Sequence, residues 1–162
     1  MKSVIKTFIL IATYLVGQFS YDTIYSWTLK AIKYFTEGKI QFFGKLWDFM
    51  GNPYFGLVLL LLPILGFLAT ILLKINRQID LLKYWVTDFI FIGITYFAVC
   101  YVYGQYLLNQ IKEGKIVAHN YDIHLHNVNL FTIGTFTISL GTSATFIFYK
   151  FTLLKKDEAA KV

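Results

Sequence analysis

The sequence predicts an all-α fold: a polytopic membrane helical bundle of four transmembrane helices plus one interfacial amphipathic segment, in a single membrane domain over residues 1–162. Three observations predict it. Of 162 residues, 57% are apolar and 15% charged, against a usual charged share of about 25%, so too few charges exist to solvate a compact sphere. The charges cluster and leave four bare stretches, each near the run of about 20 residues that crosses roughly 30 Å of hydrocarbon at about 1.5 Å per residue. The basic residues behind the net charge of +6 flank those stretches instead of pooling in one patch. That is the pattern of positive-inside topology, and nucleic acid is not an expected partner.

The spans follow in chain order. Thr7 to Leu29 is interrupted only by Asp22 and loses apolar density after Tyr25, so a span at about 7–27 is expected. Lys2 and Lys6 ahead of the apolar stretch Phe8 to Val16 resemble a signal peptide, but Val16, Gly17, Gln18, Phe19 and Ser20 offer no small-x-small cleavage site, and an uncleaved anchor is expected. Phe49 to Leu73 is uncharged over 25 residues and predicts a span at about 54–73, opened by Asn52 as cap and Pro53 at the first helical position. Tyr84 to Ile111 holds 28 residues and one charge, Asp88, and predicts a span at about 84–108. Asn127 to Tyr149 is uncharged over 23 residues and predicts the last, at about 128–149. The short link from Lys74 to Lys83 makes spans two and three an antiparallel hairpin.

With four spans, nine Lys and Arg fall on the side of the two termini and six on the other, so both termini are expected in the cytoplasm and the protein in the cell inner membrane. Between spans one and two, the segment 30–50 is too polar to cross. From Gln41 its spacing reads as a helix with Phe42, Phe43, Leu46, Trp47 and Met50 on one face, which predicts an amphipathic helix anchored among lipid headgroups, with membrane lipid as its partner.

Chemistry-bearing residues are sparse. The single cysteine, Cys100, rules out an internal disulfide and any multi-cysteine metal site. His119, His124 and His126, with Asp122, are weak candidate metal ligands, His124 and His126 standing at the i, i+2 spacing that shares one side of a strand; the favoured reading is a solvated loop, and no metal or cofactor is expected. Asp88 is the one acid well inside a span. Standing five residues past Lys83, it is expected to reach the cytoplasmic interface, with a buried polar contact to another helix or a proton or ion relay as alternatives. In the fourth span Thr137, Gly141 and Thr145 form a small-xxx-small-xxx-small ridge that lets another backbone approach closely, either one of the chain's own spans or a partner's. On the partner reading, Gly141→Leu abolishes function and leaves insertion intact. No nucleotide loop, His-Glu-x-x-His, serine elbow or haem histidine pair is present, and no enzymatic activity is expected.

The layout of basic start, long outer connection, hairpin with the basic turn Leu72, Leu73, Lys74, Ile75, Asn76, Arg77, outer loop, last span and tail Leu153, Leu154, Lys155, Lys156 resembles the inner-membrane immunity proteins that protect bacteria against pore-forming colicins. In build it is also similar to the surface-exclusion proteins of conjugative plasmids, which block redundant DNA transfer. Both resemblances imply a protein without catalysis that recognises another integral membrane protein by helix contact and stops it from acting. An accessory or assembly subunit of a larger membrane complex, and a small channel or transporter formed as a homo-oligomer, are the alternatives.

Overall fold

The computed structural model of the chain describes residues 2–43, 53–75, 77–115, 122–125 and 128–159, with side chains throughout except at 2, 3, 53, 122 and 153–159. Four helices, α1 (Lys2–Phe35), α2 (Pro53–Leu72), α3 (Gln78–Lys112) and α4 (Leu130–Ala159), enclose two short strands in sequence, β1 (Gln41–Phe43) and β2 (Asp122–His124). All four helices are long and apolar enough to cross a membrane, over Val4–Phe35, Tyr54–Leu72, Gln78–Lys112 and Leu130–Thr152. The outer faces agree with that. Val4, Phe8, Val16 and Phe19 on α1 and Phe89, Ile90 and Ile94 on α3 are all more than half exposed. In water an apolar surface of this extent would drive aggregation, whereas acyl chains solvate it. The chain is a membrane protein built as an all-α helical bundle.

Each helix packs mainly on two neighbours, in the cyclic order α1–α2–α4–α3. The α1–α2 contact is antiparallel and closes at two glycines: a Cβ on Gly17 would stand 2.9 Å from the Gly56 Cα, and a Cβ on Gly56 would stand 2.8 Å from the Tyr14 carbonyl oxygen. Without a hydrophobic drive inside lipid, such close backbone approach is what helix association depends on. At the end of the bundle that holds both termini, Trp85 of α3 lies over Gly66 and packs edge-on against Phe67 of α2, locking the hairpin. The C-terminal part of α1 meets the middle of α3 through Thr28, whose hydroxyl lies 3.1 Å from the Tyr96 hydroxyl.

Three helices end alike. After α1, α2 and α3 the chain turns through a left-handed residue, and the next amide donates back five residues: Gly38 to Lys33 O, Ile75 to Thr70 O and Lys115 to Gln110 O, at 2.9–3.0 Å. The left-handed residue is Gly114 after α3, but Glu37 after α1 and Lys74 after α2, with φ of 54° and 53°. A side chain there is strained, so Lys74→Gly is expected to stabilise the chain by about 0.5 kcal/mol after the extra freedom of an unfolded glycine is subtracted. Thermal unfolding in detergent checks it; a lower midpoint would mean that the Lys74 side chain itself holds the turn.

Over its described residues, 30–43, the structure corrects the expectation for the segment 30–50. Residues 30–35 continue α1, and Gln41–Phe43 are extended, pairing in parallel with Asp122–His124 in the register Gln41 with Asp122, Phe42 with Ile123 and Phe43 with His124. The cause is local. Gly38 at φ 72° ends the helical direction, and the Gln41 side chain accepts from Lys33 Nζ at 2.9 Å and donates to Gly38 O at 3.2 Å, fixing the turn ahead of the strand. Ile40 and Ile123 are then fully buried beneath the strands, with Leu125 beside them. Phe42 packs on this core and Phe43 is exposed, so the pair does not form one face of a helix. Leu46 and Trp47, the rest of the expected anchor, and Asn52, the expected cap, lie outside the described residues.

The long helices explain how strands come to sit on a membrane bundle. At 34 and 35 residues, α1 and α3 measure about 51 and 52 Å, against roughly 30 Å of hydrocarbon. They pack in parallel and rise together past the ends of their shorter partners, and the strand pair caps them: Tyr25 of α1 donates its hydroxyl to Leu125 O at 2.6 Å.

Candidate functional site

The seam between α3 and α4 gathers most of the polar side chains buried in the bundle. The sequence builds it from small residues. On α4, Thr137, Gly141 and Thr145 succeed one another every four residues, and all three are buried against α3 of the same chain. A Cβ on Gly141 would stand 2.7 Å from Ile92 Cα and 2.9 Å from Ile92 N, so the two backbones touch where the side chain is missing. One turn toward the strands, Thr95 Oγ1 donates across the seam to Thr137 O at 3.0 Å. Of the two contacts left open for this ridge, the chain's own span is the one formed.

On the terminal side of the Gly141 crossing lies Asp88. It does not reach for the interface; its carboxyl turns inward and is 1% exposed. Thr142 Oγ1 donates to Asp88 Oδ2 at 3.5 Å, and the Thr145 hydroxyl, which donates to Gly141 O at 3.0 Å, lies against the same carboxyl. Asp88 Oδ1 has no hydrogen-bond partner among the described residues. Nor has the hydroxyl of Tyr84, four residues earlier on the same face of α3 and fully buried. The Tyr149 ring of α4 closes the terminal end by packing edge-on against Tyr84 at 5.3 Å. No basic nitrogen among the described residues is within 4.0 Å of the carboxylate; the ion pairs there are Lys39 with Glu37 and Lys115 with Glu113, both at the surface. Asp22, the other acid within a span, is exposed on α1.

On the strand side of the same crossing, α3 and α4 diverge into a groove of about 720 Å³. Thr95 and Leu140 line its end nearest the Gly141 crossing, Ala98, Val102 and Phe136 its length, and Gln110 and Asn129 its far end, the mouth. Asn129 fixes that mouth: its Oδ1 accepts from Thr132 N at 3.1 Å, capping α4, while its backbone N–H donates to Tyr103 OH of α3 at 2.9 Å.

Of the candidate metal-ligating histidines, the structure describes the side chain of His124. His124 sits on β2 with its ring edge-on to Phe43 at 5.2 Å. His119, His126 and the Asp122 side chain lie outside what the structure describes, and among the described residues no three His, Cys, Asp or Glu side chains converge. Sequence reasoning found the ridge and Asp88 but missed Tyr84, which shares Asp88's face at an i, i+4 spacing, and the Gly17–Gly56 crossing, where each helix offers one glycine among bulky neighbours. No family profile, curated protein or solved structure matches the chain, so its function is argued from this geometry.

Proposed function

We propose that this chain is a non-enzymatic multi-pass protein of the bacterial inner membrane, both termini cytoplasmic, that recognises another integral membrane protein by helix contact and prevents it from acting, as immunity and exclusion proteins do. One observation supports the reading most: the groove between α3 and α4. The Thr137–Gly141–Thr145 ridge is spent inside the chain, so the contact surface lies elsewhere, and the groove is the concave, membrane-facing candidate. From Thr95 to Gln110 it extends for about 22 Å along α3, most of the hydrocarbon thickness. That length suits one transmembrane helix of the target, packed on the apolar walls and hydrogen-bonded at the polar mouth, where van der Waals fit and interhelical hydrogen bonds supply the affinity.

The test is protection in vivo. Cells expressing the chain are challenged with pore-forming toxins and with conjugative donors, and protection against one of them is expected. Ala98→Trp fills the groove from an exposed position and should weaken protection at least tenfold, the equivalent of about 1.4 kcal/mol of lost affinity. Val16→Trp, exposed on α1, should leave protection unchanged. Full protection by Ala98→Trp would remove the groove as the contact surface.

A further inference from the structure

The geometry points to a binding site for one hard monovalent cation, of the sodium type, between α3 and α4, with Asp88 as its charged ligand. Four observations bear on the same stretch of the seam. The carboxyl is 1% exposed, lies within a membrane-spanning helix and has no basic partner within 4.0 Å among the described residues. A charge so placed is retained only when something neutralises it. Two buried oxygens from residues four apart on one face of α3, Asp88 Oδ1 and the Tyr84 hydroxyl, lack any partner among the described residues. Thr145 Oγ1 spends its proton on Gly141 O and so presents only lone pairs to its surroundings. Finally, the hydrogen bond from Thr142 Oγ1 to Asp88 Oδ2 is long, 3.5 Å, against roughly 2.5–2.7 Å for a strong hydroxyl–carboxylate bond. A cation that holds oxygens at about 2.4 Å sets adjacent ligands about 3.4 Å apart, which is the spacing found.

The donor set fixes the class of ion. Every candidate ligand is an oxygen, from one carboxylate and three hydroxyls, so soft and nitrogen-seeking metals are disfavoured. There is one negative charge. A singly charged ion leaves the seam neutral, whereas a divalent ion would leave a net positive charge buried in hydrocarbon, without the further carboxylates that calcium sites use. The ion would tie Tyr84 and Asp88 of α3 to Thr142 and Thr145 of α4, next to the Gly141 crossing. This inference does not depend on the partner protein proposed above.

Thermal unfolding of the purified full-length chain in detergent tests it, with sodium chloride replacing choline chloride at constant ionic strength and pH. Trp85 packs edge-on against Tyr84 at 6.0 Å and gives a fluorescence signal from the site itself. The midpoint should rise with the logarithm of the sodium concentration, by about 4 °C at ten times the dissociation constant. Tyr84→Phe should raise that constant about tenfold for one lost oxygen ligand, and Asp88→Asn should abolish the rise. In parallel, sodium-23 resonance broadening by the wild-type protein, reversed by excess lithium, reports occupancy without any variant and decides the matter where Asp88→Asn does not fold. A wild-type midpoint indifferent to sodium, lithium and potassium would overturn the site. So would an equal rise in a folded Asp88→Asn variant, an unbroadened resonance, or a midpoint that moves with pH and not with the ion.

Discussion

Gly141→Leu is expected to lower the stability of the bundle by about 3 kcal/mol or more and to part α4 from α3. The Cβ of even an alanine would stand 2.6 Å from Ile92 Cγ1 and 2.7 Å from Ile92 Cα. Backbone atoms cannot rotate away as a side chain can, so the helices must separate, and overpacking of this kind costs about 1–3 kcal/mol for the first added atoms. Separation also breaks the Thr95–Thr137 hydrogen bond and uncovers the buried Asp88 carboxyl, each adding about 1 kcal/mol or more. Gly141→Ala should show the smaller part of this loss, about 1–2 kcal/mol. Ser143→Leu, exposed on the same helix, should stay within about 0.5 kcal/mol of wild type. Unfolding in mixed detergent micelles, followed by helix content, measures all three. A Gly141→Leu protein as stable as wild type would mean that α4 does not cross α3 at this point. The variant also ceases to be a clean probe of a partner, since loss of function would follow from loss of the seam; substitution at Ala98 separates the two.

What the sequence made legible follows from which physical properties are local. Whether a stretch can lie in hydrocarbon depends on its own side chains alone, and the four spans could be read without knowing their neighbours. The extents were less accessible. Residues 28–35 of α1 and 109–112 of α3 are helical because the two helices support each other beyond the bundle, Gln105 Nε2 of α3 donating to Phe35 O of α1 at 3.4 Å, and no count of apolar residues contains that information. The ridge on α4 was legible as a surface that wants close contact, but its partner was not, since inside lipid a small-residue face is equally suited to the chain's own helix and to another's. Asp88 was placed correctly in the chain and wrongly in space. Its direction depends on how α3 is rotated, and the clue lay in Tyr84, Asp88 and Thr95, which share the helical face that meets α4. The strands were illegible: three residues form each, and the partners are 81 positions apart, so the local aromatic spacing from Gln41 onward looked helical while a distant segment supplied the backbone hydrogen bonds.

Ile123→Ala is expected to cost about 3 kcal/mol and to release both strands together. Ile123 is fully buried, opposite Phe42 in the strand register and close to Ile40 and Leu125, which are also buried. Removing a buried isoleucine to the β-carbon costs about 2–5 kcal/mol, the upper part of which arises where the cavity cannot collapse. Two three-residue strands have no stability of their own, so the loss falls on the β1–β2 pairing and on the Tyr25–Leu125 hydrogen bond of 2.6 Å that ties it to α1. Hydrogen exchange gives the readout: the protected amides of Gln41–Phe43 should exchange about 100-fold faster, from the same 3 kcal/mol, although the mutated residue is far away in the chain. That remote effect distinguishes the strand from the amphipathic helix the spacing had predicted, because a helix lying among headgroups would keep its amide protection whatever stood at position 123. The consequence extends to the groove. Leu125 and Asn129 belong to one short stretch, and Asn129 holds the mouth of the α3–α4 groove against Tyr103, so a loosened cap should also widen the groove while leaving the Gly141 crossing intact. If exchange at Gln41–Phe43 is unchanged in Ile123→Ala, the strand pair does not hold the two long connections together, and the groove mouth is set by α4's own cap alone.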